Sequence, residues 1–185
     1  NADGFYDDLG AAQGEQSPYY RWYNFHPFPD EYDAWWGIKN LPAVNELEKS
    51  YVDYIIEGNN SIIKRWLRAG ASGWRLDVPD EFIAKIRAAM NEENPDTYLL
   101  GEVWEDGTTK IAYSQRRKYL LGRETNGLMN YPFRTALMAY LLGGGAEYFR
   151  DSMEELRENY PAPAFYGAMN FLSTHDTPRL LTILG

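Results

Sequence analysis

Three carboxyl side chains lie at or just past the ends of short apolar runs, where a carboxyl group can serve as a catalytic acid, base or nucleophile. They are Asp77, Glu102 and Asp176, and His175 stands beside the last of them. The chain contains no cysteine, which excludes thiol nucleophiles and thiolate metal sites. Carboxyl groups without metal-ligand spacing favour glycoside hydrolysis, in which one carboxylate attacks or stabilises the sugar cation and another protonates the leaving oxygen.

Arg75 precedes Asp77 by two residues, so in a strand both side chains point to the same side. A guanidinium there would orient the carboxylate through a charge-assisted hydrogen bond. A structural ion pair is the simpler interpretation of these two residues, just as Glu102 alone could be an ordinary strand-end residue. His175 and Asp176 alone could cap a helix. All of these simpler interpretations are harder to accept at the same time, because three separate strands would each have to place a carboxyl group at the same rim by coincidence.

Aromatic residues make up 16% of the chain, with 6 Trp, 15 Tyr and 8 Phe, and many lie between Tyr19 and Trp36. One interpretation is a local aromatic core under a long loop. The other is a surface that stacks sugar rings, because aromatic side chains offer rigid apolar area at little entropic cost. Within this stretch Trp35 and Trp36 are candidates for lining a sugar site.

The elements that must position the carboxyl groups alternate strand and helix. We expect strands at 72–78, 97–103, 127–130 and 168–173. We expect helices before Gly70, at 80–90, at 133–142, at 146–159, and after Thr177, which would cap a helix that begins with Pro178. Repeated βα units predict an α/β fold with a parallel sheet, either doubly wound or a (β/α)₈ barrel. No Gly-x-Gly-x-x-Gly loop follows a strand, which weakens the nucleotide-binding version.

Composition narrows the class of ligand. The 185 residues carry 18 Lys and Arg against 27 Asp and Glu, a formal charge of −9, which argues against nucleic acid as a partner. No apolar window approaches the about 18 residues that span a bilayer, so we expect no membrane contact. The first residue is Asn1 and the last residues are apolar. We therefore expect this chain to be an excerpt of a longer protein.

Five segments resemble the α-amylase superfamily of glycoside hydrolases, in order and spacing along nearly the whole chain. GWRLDV at 73–78 resembles the nucleophile segment, GEVW at 101–104 the acid/base segment, and STHDTPR at 173–179 the segment with the third carboxylate. LPAVN at 41–45 resembles a motif near the end of domain B. NYPF at 130–133 resembles the sixth-strand region of the neopullulanase, cyclomaltodextrinase and amylopullulanase branch.

This resemblance implies roles for the site residues. Asp77 would be the nucleophile that forms a covalent β-glycosyl intermediate, held by Arg75. Glu102 would protonate the glycosidic oxygen and then activate water or an acceptor sugar. Asp176, assisted by His175, would bind hydroxyls of the distorted sugar at the cleavage point. Because the family retains configuration, we predict that the carboxyl groups of Asp77 and Glu102 lie about 5–5.5 Å apart.

Further residues are implied as neighbours of the substrate. Trp104 would contact the leaving-group sugar, or would be a packing residue at the rim. Glu81 is a binding candidate on the acceptor side, where VPDE at 78–81 stands in place of the Val-Ala-Asn-Glu that relatives often carry. No cofactor is required. The resemblance allows Ca²⁺, with the acidic residues Asp3, Asp7 and Asp8 as candidates, although their spacing fits no EF-hand and a solvated loop is the simpler interpretation.

The implied architecture is a partial (β/α)₈ barrel of strands four to seven with an irregular domain B segment. We expect the domain B segment at 1–48 and the barrel part at 49–185. The family's first motif and its eighth strand would lie outside this chain. The sheet edges would then be open, and unpaired edges invite self-association.

The function implied is retaining hydrolysis of α-1,4 and, as a second linkage, α-1,6 glucosidic bonds. The partners would be α-glucan oligosaccharides or polysaccharides such as starch-derived maltodextrins, cyclodextrins or pullulan. Two alternatives stay open: a non-catalytic, amylase-like carbohydrate-binding or interaction protein, and a fragment that is inactive by itself. The sequence leaves both a bacterial cytoplasmic and a secreted location open, and it does not separate hydrolysis from transfer.

Overall fold

A computed structural model describes residues 9–79, 82–112 and 114–185. The chain divides into two compact units, residues 1–65 and residues 66–185. Sequence analysis placed the domain boundary near residue 48, and that boundary stays a prediction. Within the described residues, no helix is long and apolar enough to cross a membrane.

The first unit is irregular up to residue 48, as expected from its lack of helical or strand period. Its short 3₁₀ turns are Ala11–Gln13, Tyr20–Trp22 and Trp35–Gly37. Isolated antiparallel bridges join Tyr23 to Val44, Phe25 to Tyr32, and Ala34 to Pro42. Helix α1, Lys49–Val52, follows and continues into a π-helical turn at Asp53–Glu57. Over residues 9–65, this unit is therefore held by bridges and side chains rather than by a sheet.

Two clusters of aromatic rings in the first unit bear on the aromatic crowding. Tyr20 stacks on Phe25 with ring centres 5.2 Å apart, and Phe28 packs edge-on against both rings. Trp35 and Trp36 instead stack on each other, 4.3 Å apart, and Trp36 is 83% exposed. Tyr20, Phe25 and Phe28 therefore fit the interpretation of a local aromatic core, and Trp35 and Trp36 fit that of a surface that stacks sugar rings.

The second unit alternates strand and helix. Helix α2, Ile62–Arg68, leads into it across the boundary between the units. The strands that follow are β1 Gly73–Leu76, β2 Tyr98–Gly101, β3 Ile111–Ala112, β4 Gln115–Arg116 and β5 Gly127–Leu128. The remaining helices are α3 Ile83–Glu93, α4 Tyr131–Leu141, α5 Ala146–Asn159, α6 Ala162–Tyr166 and α7 Leu180–Leu184.

Strands β1, β2 and β5 form a parallel sheet in the order β1–β2–β5. The register pairs Gly73 with Tyr98 and Leu76 with Gly101, so β1 and β2 end at the same level. Strands β3 and β4 form a separate antiparallel ribbon in the connection between β2 and β5. The described residues thus form part of an α/β fold with a parallel sheet and no closed barrel, as predicted.

Helix α3 buries the apolar face that its sequence predicts. Ile83, Ile86 and Met90 are all buried, and they recur at the three- to four-residue spacing of one helix face. The helix begins at Ile83 rather than at residue 80, because Phe82 has a left-handed backbone with φ +56° and cannot continue a right-handed turn.

Two predictions in the C-terminal part were wrong. The strand expected at 168–173 is reduced to a single parallel bridge between Met129 and Met169. The helix expected to start after Thr177 starts at Leu180, with Arg179 at its cap position. The hydroxyl of Thr177 instead accepts a hydrogen bond from the amide of Thr174, at 2.8 Å. Thr177 therefore closes a local turn rather than capping a helix.

Candidate active site

Asp77 follows directly on strand β1, and its carboxylate is held by the guanidinium of Arg75. Nη1 of Arg75 donates to Oδ1 of Asp77 at 2.5 Å. The pairing is local, because residues two apart in a strand share a face. The Asp77 side chain is nevertheless 72% exposed. This carboxylate is oriented by a cation and remains open to a reacting molecule.

Glu102 follows directly on strand β2, one position beyond the pair that joins Leu76 to Gly101. Its amide donates to the carbonyl of Leu76 at 3.0 Å, which extends the parallel pairing past the strand ends. Asp77 and Glu102 therefore leave neighbouring strands at the same edge of the sheet, where functional groups of parallel sheets gather. Unlike Asp77, the Glu102 side chain is only 5% exposed.

Four donors surround the Glu102 carboxylate. Oε2 accepts from the amide of Val78 at 3.2 Å and lies 3.3 Å from Nη2 of Arg75. Oε1 accepts from the indole of Trp104 at 3.0 Å and from the phenol of Tyr131 at 3.4 Å. Arg75 lies on β1 and the other three donors come from the segments after β1, β2 and β5, so the fold of the sheet fixes the carboxylate's position.

Arg75 links the two carboxylates, because one guanidinium nitrogen faces Asp77 and the other faces Glu102. The Nη2 atom is buried and makes no aligned hydrogen bond, so its contact with Glu102 is an ion pair. The Nε atom lies 3.5 Å from the sulfur of Met129. A planar guanidinium suits this double contact, since its donors point in fixed directions.

Val78 adopts a backbone conformation that β-branched residues avoid, with φ +37°. The amide of this residue donates to Glu102 immediately after the chain leaves Asp77. Sparsely populated backbone conformations cluster at functional sites, where the surrounding structure enforces them. The conformation at Val78 thus connects the two carboxylate segments directly.

Asp176 lies in a turn rather than at the end of a strand. Its amide donates to the hydroxyl of Thr174, and its Oδ2 lies 3.2 Å from Nε2 of His175. His175 is largely exposed, and the contact with Asp176 is its ion pair in the described structure. The charge of Asp176 acts on the Tyr131 phenol, as does that of Glu102. One phenol therefore senses both carboxylates.

Trp104 is half exposed and stacks on Tyr131, with ring centres 4.0 Å apart and planes 16° from parallel. Trp104 therefore packs on Tyr131, as one of its two interpretations expects. The exposed part of the indole leaves room for contact with a sugar as well. Its hydrogen bond to Glu102 was not expected from the sequence.

Some predicted residues lie outside the described part of the chain. Glu81 is one, and so are the calcium candidates Asp3, Asp7 and Asp8. Over 9–79, 82–112 and 114–185, no group of three or more His, Asp or Glu side chains could hold a metal ion. Calcium binding stays a prediction.

Sequence analysis missed three groups in this site: the amide of Val78, the hydroxyl of Thr174 and the phenol of Tyr131. Tyr131 had a signal, because it belongs to the NYPF segment that follows the third predicted strand. Asn130 caps helix α4 by accepting from the amide of Phe133 at 3.0 Å, which fixes where Tyr131 projects. No sequence signal pointed to the amide of Val78, because every residue except proline carries a backbone amide N–H.

Known proteins are similar to this chain in sequence. An amylopullulanase of Thermoanaerobacter thermohydrosulfuricus is 35% identical over 211 aligned positions, covering 96% of this chain and 14% of that protein. A cyclomaltodextrinase of Geobacillus thermopakistaniensis is 30% identical, covering 93% of this chain and 29% of that protein. This chain belongs to the α-amylase family. No family model matches the chain.

A solved member of the α-amylase family confirms the fold. The cyclic α-maltosyl-(1→6)-maltose hydrolase of Arthrobacter globiformis superimposes with a TM-score of 0.75 at 26% identity, covering 94% of this chain and 39% of that one. The chain spans less than a third of the length of the two curated relatives above.

Proposed function

We propose that the chain carries the catalytic carboxylates of a retaining α-glucan hydrolase. The observation that supports this most directly is the pair formed by Asp77 and Glu102, which leave adjacent parallel strands at one edge and share the guanidinium of Arg75. One carboxylate is exposed and the other is enclosed by donors. That asymmetry fits a division of labour between a nucleophile and an acid/base.

In the first step the Asp77 carboxylate attacks the anomeric carbon while Glu102 gives a proton to the leaving glycosidic oxygen. The carbon–oxygen bond to the leaving sugar breaks, and a glycosyl ester forms on Asp77. In the second step Glu102 takes a proton from water, and the water oxygen displaces the carboxylate of Asp77. Asp176 binds sugar hydroxyls near the cleavage point in this proposal, with His175 beside it.

The substrate class rests on the relatives. Their names describe action on pullulan, on cyclomaltodextrins and on cyclic α-maltosyl-(1→6)-maltose, which are α-glucans. We therefore propose starch-derived α-glucans as partners of the protein to which this chain belongs. Both α-1,4 and α-1,6 bonds fall within that class.

Substitution of the two carboxylates tests the mechanism. Asp77→Asn and Glu102→Gln should each lower maltotriose or pullulan turnover by roughly a thousandfold or more, since groups that act as a unit fail together. Asp151→Asn and Glu154→Gln are matched controls on the exposed face of helix α5 and should retain activity. Turnover that is unchanged by Asp77→Asn contradicts the mechanism.

The stereochemistry of the product tests retention separately. Proton NMR during early turnover should show the α-anomer of the released sugar first, because two displacements at one carbon restore its configuration. Early appearance of the β-anomer would rule out the covalent route through Asp77 even if both substitutions abolish activity.

A second candidate function is carbohydrate binding without turnover, and the stacked pair of Trp35 and Trp36 favours it. The two indole planes lie 8° from parallel, and the outer ring is almost fully exposed, as suits stacking on a sugar ring. Maltotriose binding that persists without any turnover, and that Trp36→Ala abolishes while Trp66→Ala does not, would favour this function over hydrolysis.

A further inference from the structure

Tyr131 occupies a central position among the elements of the candidate site. Its side chain is buried at 2% exposure, between the indole of Trp104 on one face and the edge of Phe171 on another side. Trp104 belongs to the segment that carries Glu102, and Phe171 belongs to the segment that leads to Asp176. Tyr131 therefore packs against both segments at once.

The phenol of Tyr131 also makes polar contacts to both segments. Its hydroxyl donates to Oε1 of Glu102 at 3.4 Å, and a hydrogen bond with the Thr174 side chain lowers the pKa of the phenol. The Thr174 hydroxyl accepts from the amide of Asp176. Glu102, Tyr131, Thr174 and Asp176 therefore form one polar cluster.

We propose that Tyr131 is a positioning residue that fixes the acid/base carboxylate of Glu102 and couples it to the turn carrying Asp176. The inference rests on the proposed function, because it assigns Tyr131 a role through Glu102. It goes beyond that function because the position of the proton donor, Glu102, then depends on the turn that carries Asp176.

The geometry gives Tyr131 an effect on one step in particular. The ring packing is shared with Trp104 and Phe171, and a phenylalanine would keep it. The hydroxyl alone reaches Glu102. Removing the hydroxyl should therefore misplace the proton donor without changing the pocket wall, and the loss should fall on substrates whose leaving group needs a proton.

The matched comparison is Tyr131→Phe against Tyr98→Phe. Tyr98 lies on β2 and its hydroxyl donates to the carbonyl of Gly167, outside this polar cluster. Two substrates separate the roles: maltotriose, whose leaving sugar must be protonated, and α-maltosyl fluoride, whose fluoride leaves without protonation. Both variants are made in the full chain.

Tyr131→Phe should lower kcat/KM for maltotriose by about tenfold or more and change kcat/KM for α-maltosyl fluoride, which reports only formation of the glycosyl ester, by less than about threefold. Tyr98→Phe should change neither. Thr174→Val should reproduce the selective loss, and Thr174→Ser, which keeps the hydroxyl, should restore activity. An equal loss on both substrates, or no loss, overturns the inference.

A measurement without turnover separates this inference from the proposed function. Burial raises the pKa of Tyr131, the hydrogen bond with Thr174 lowers it, and the charges of Glu102 and Asp176 raise it further. Carbon-13 NMR of labelled tyrosine, assigned with Tyr131→Phe, should show this pKa falling in Glu102→Gln.

Glu105→Gln is the control for that titration, because Glu105 pairs with Lys110 and does not act on the phenol. If the unsubstituted chain hydrolyses neither substrate, the proposed function fails. The titration still tests whether Tyr131 is coupled to Glu102 and Asp176. A Tyr131 pKa that stays the same in Glu102→Gln overturns the coupling. A fall confined to Glu102→Gln and Asp176→Asn supports it.

Discussion

Arg75 faces both carboxylates of the candidate pair with its one guanidinium. Nη1 lies 2.5 Å from Asp77 and Nη2 lies 3.3 Å from Glu102. Glu102 is almost fully enclosed, and an enclosed carboxylate without a cationic partner carries a large desolvation cost. The guanidinium therefore does more than pair with Asp77. It also contacts Glu102, whose side chain is far less exposed than that of Asp77.

Replacing Arg75 with lysine tests this double contact. Lysine keeps the positive charge but offers one compact ammonium in place of a planar fork, so it cannot face both carboxylates in the same way. Arg75→Lys should lower kcat/KM for maltotriose by about tenfold or more. Arg150→Lys, on an exposed ion pair of helix α5, is the control. Equal kcat/KM values for the two variants would show that charge alone suffices.

The parallel contact between strands β1 and β2 sets the separation of Asp77 from Glu102. Gly73 lies opposite Tyr98, and a Cβ added at Gly73 would lie 1.9 Å from the carbonyl oxygen of Tyr98. Real Cβ atoms do not approach backbone so closely, so any larger residue must push the strands apart. A glycine at this position allows the close approach.

Gly73→Ala should destabilise the fold by about 2 kcal/mol or more, because the clash involves backbone that cannot rotate away. Gly145→Ala is the matched control: a Cβ there meets nothing within 4 Å, so the change should stay within about 0.5 kcal/mol. Urea unfolding of both variants measures the difference. Equal stabilities would contradict the close packing of β1 on β2.

In the second unit, buried side chains connect elements that are far apart in sequence. Tyr160, at the end of helix α5, accepts a hydrogen bond from the amide of Gly107 at 3.0 Å, across 53 residues. Burial raises the pKa of Tyr160 to about 12. The parallel sheet has no closing strand among the described residues, and self-association through its edges stays a prediction.

Stability should fall at alkaline pH because of Tyr160. In the unfolded chain its phenol ionises near pH 10, whereas in the folded chain it stays neutral to about 12. The stabilisation from the neutral buried phenol is thus complete below pH 10 and is lost as pH rises toward 12. Between pH 9 and pH 11 this group should remove about 1 kcal/mol of unfolding free energy.

The comparison with Tyr160→Phe isolates that contribution, since the other tyrosines titrate in both proteins. The variant should be less stable at pH 8, because the amide of Gly107 loses its acceptor. Its deficit against the unsubstituted chain should shrink by about 1 kcal/mol at pH 11. A deficit that does not change with pH would show that Tyr160 ionises normally in the folded chain.

The sequence by itself determined the order of strands and helices and the positions of Asp77 and Glu102 at strand ends. Apolar runs and helical spacing are local signals, and parallel βα units bring strand ends to one edge. Only the tertiary structure decided which groups meet Glu102, because the amide of Val78 and the phenol of Tyr131 reach it through packing between distant segments. The same packing left the run at 168–173 with one bridge instead of a strand, since pairing depends on the neighbouring strand as well as on propensity.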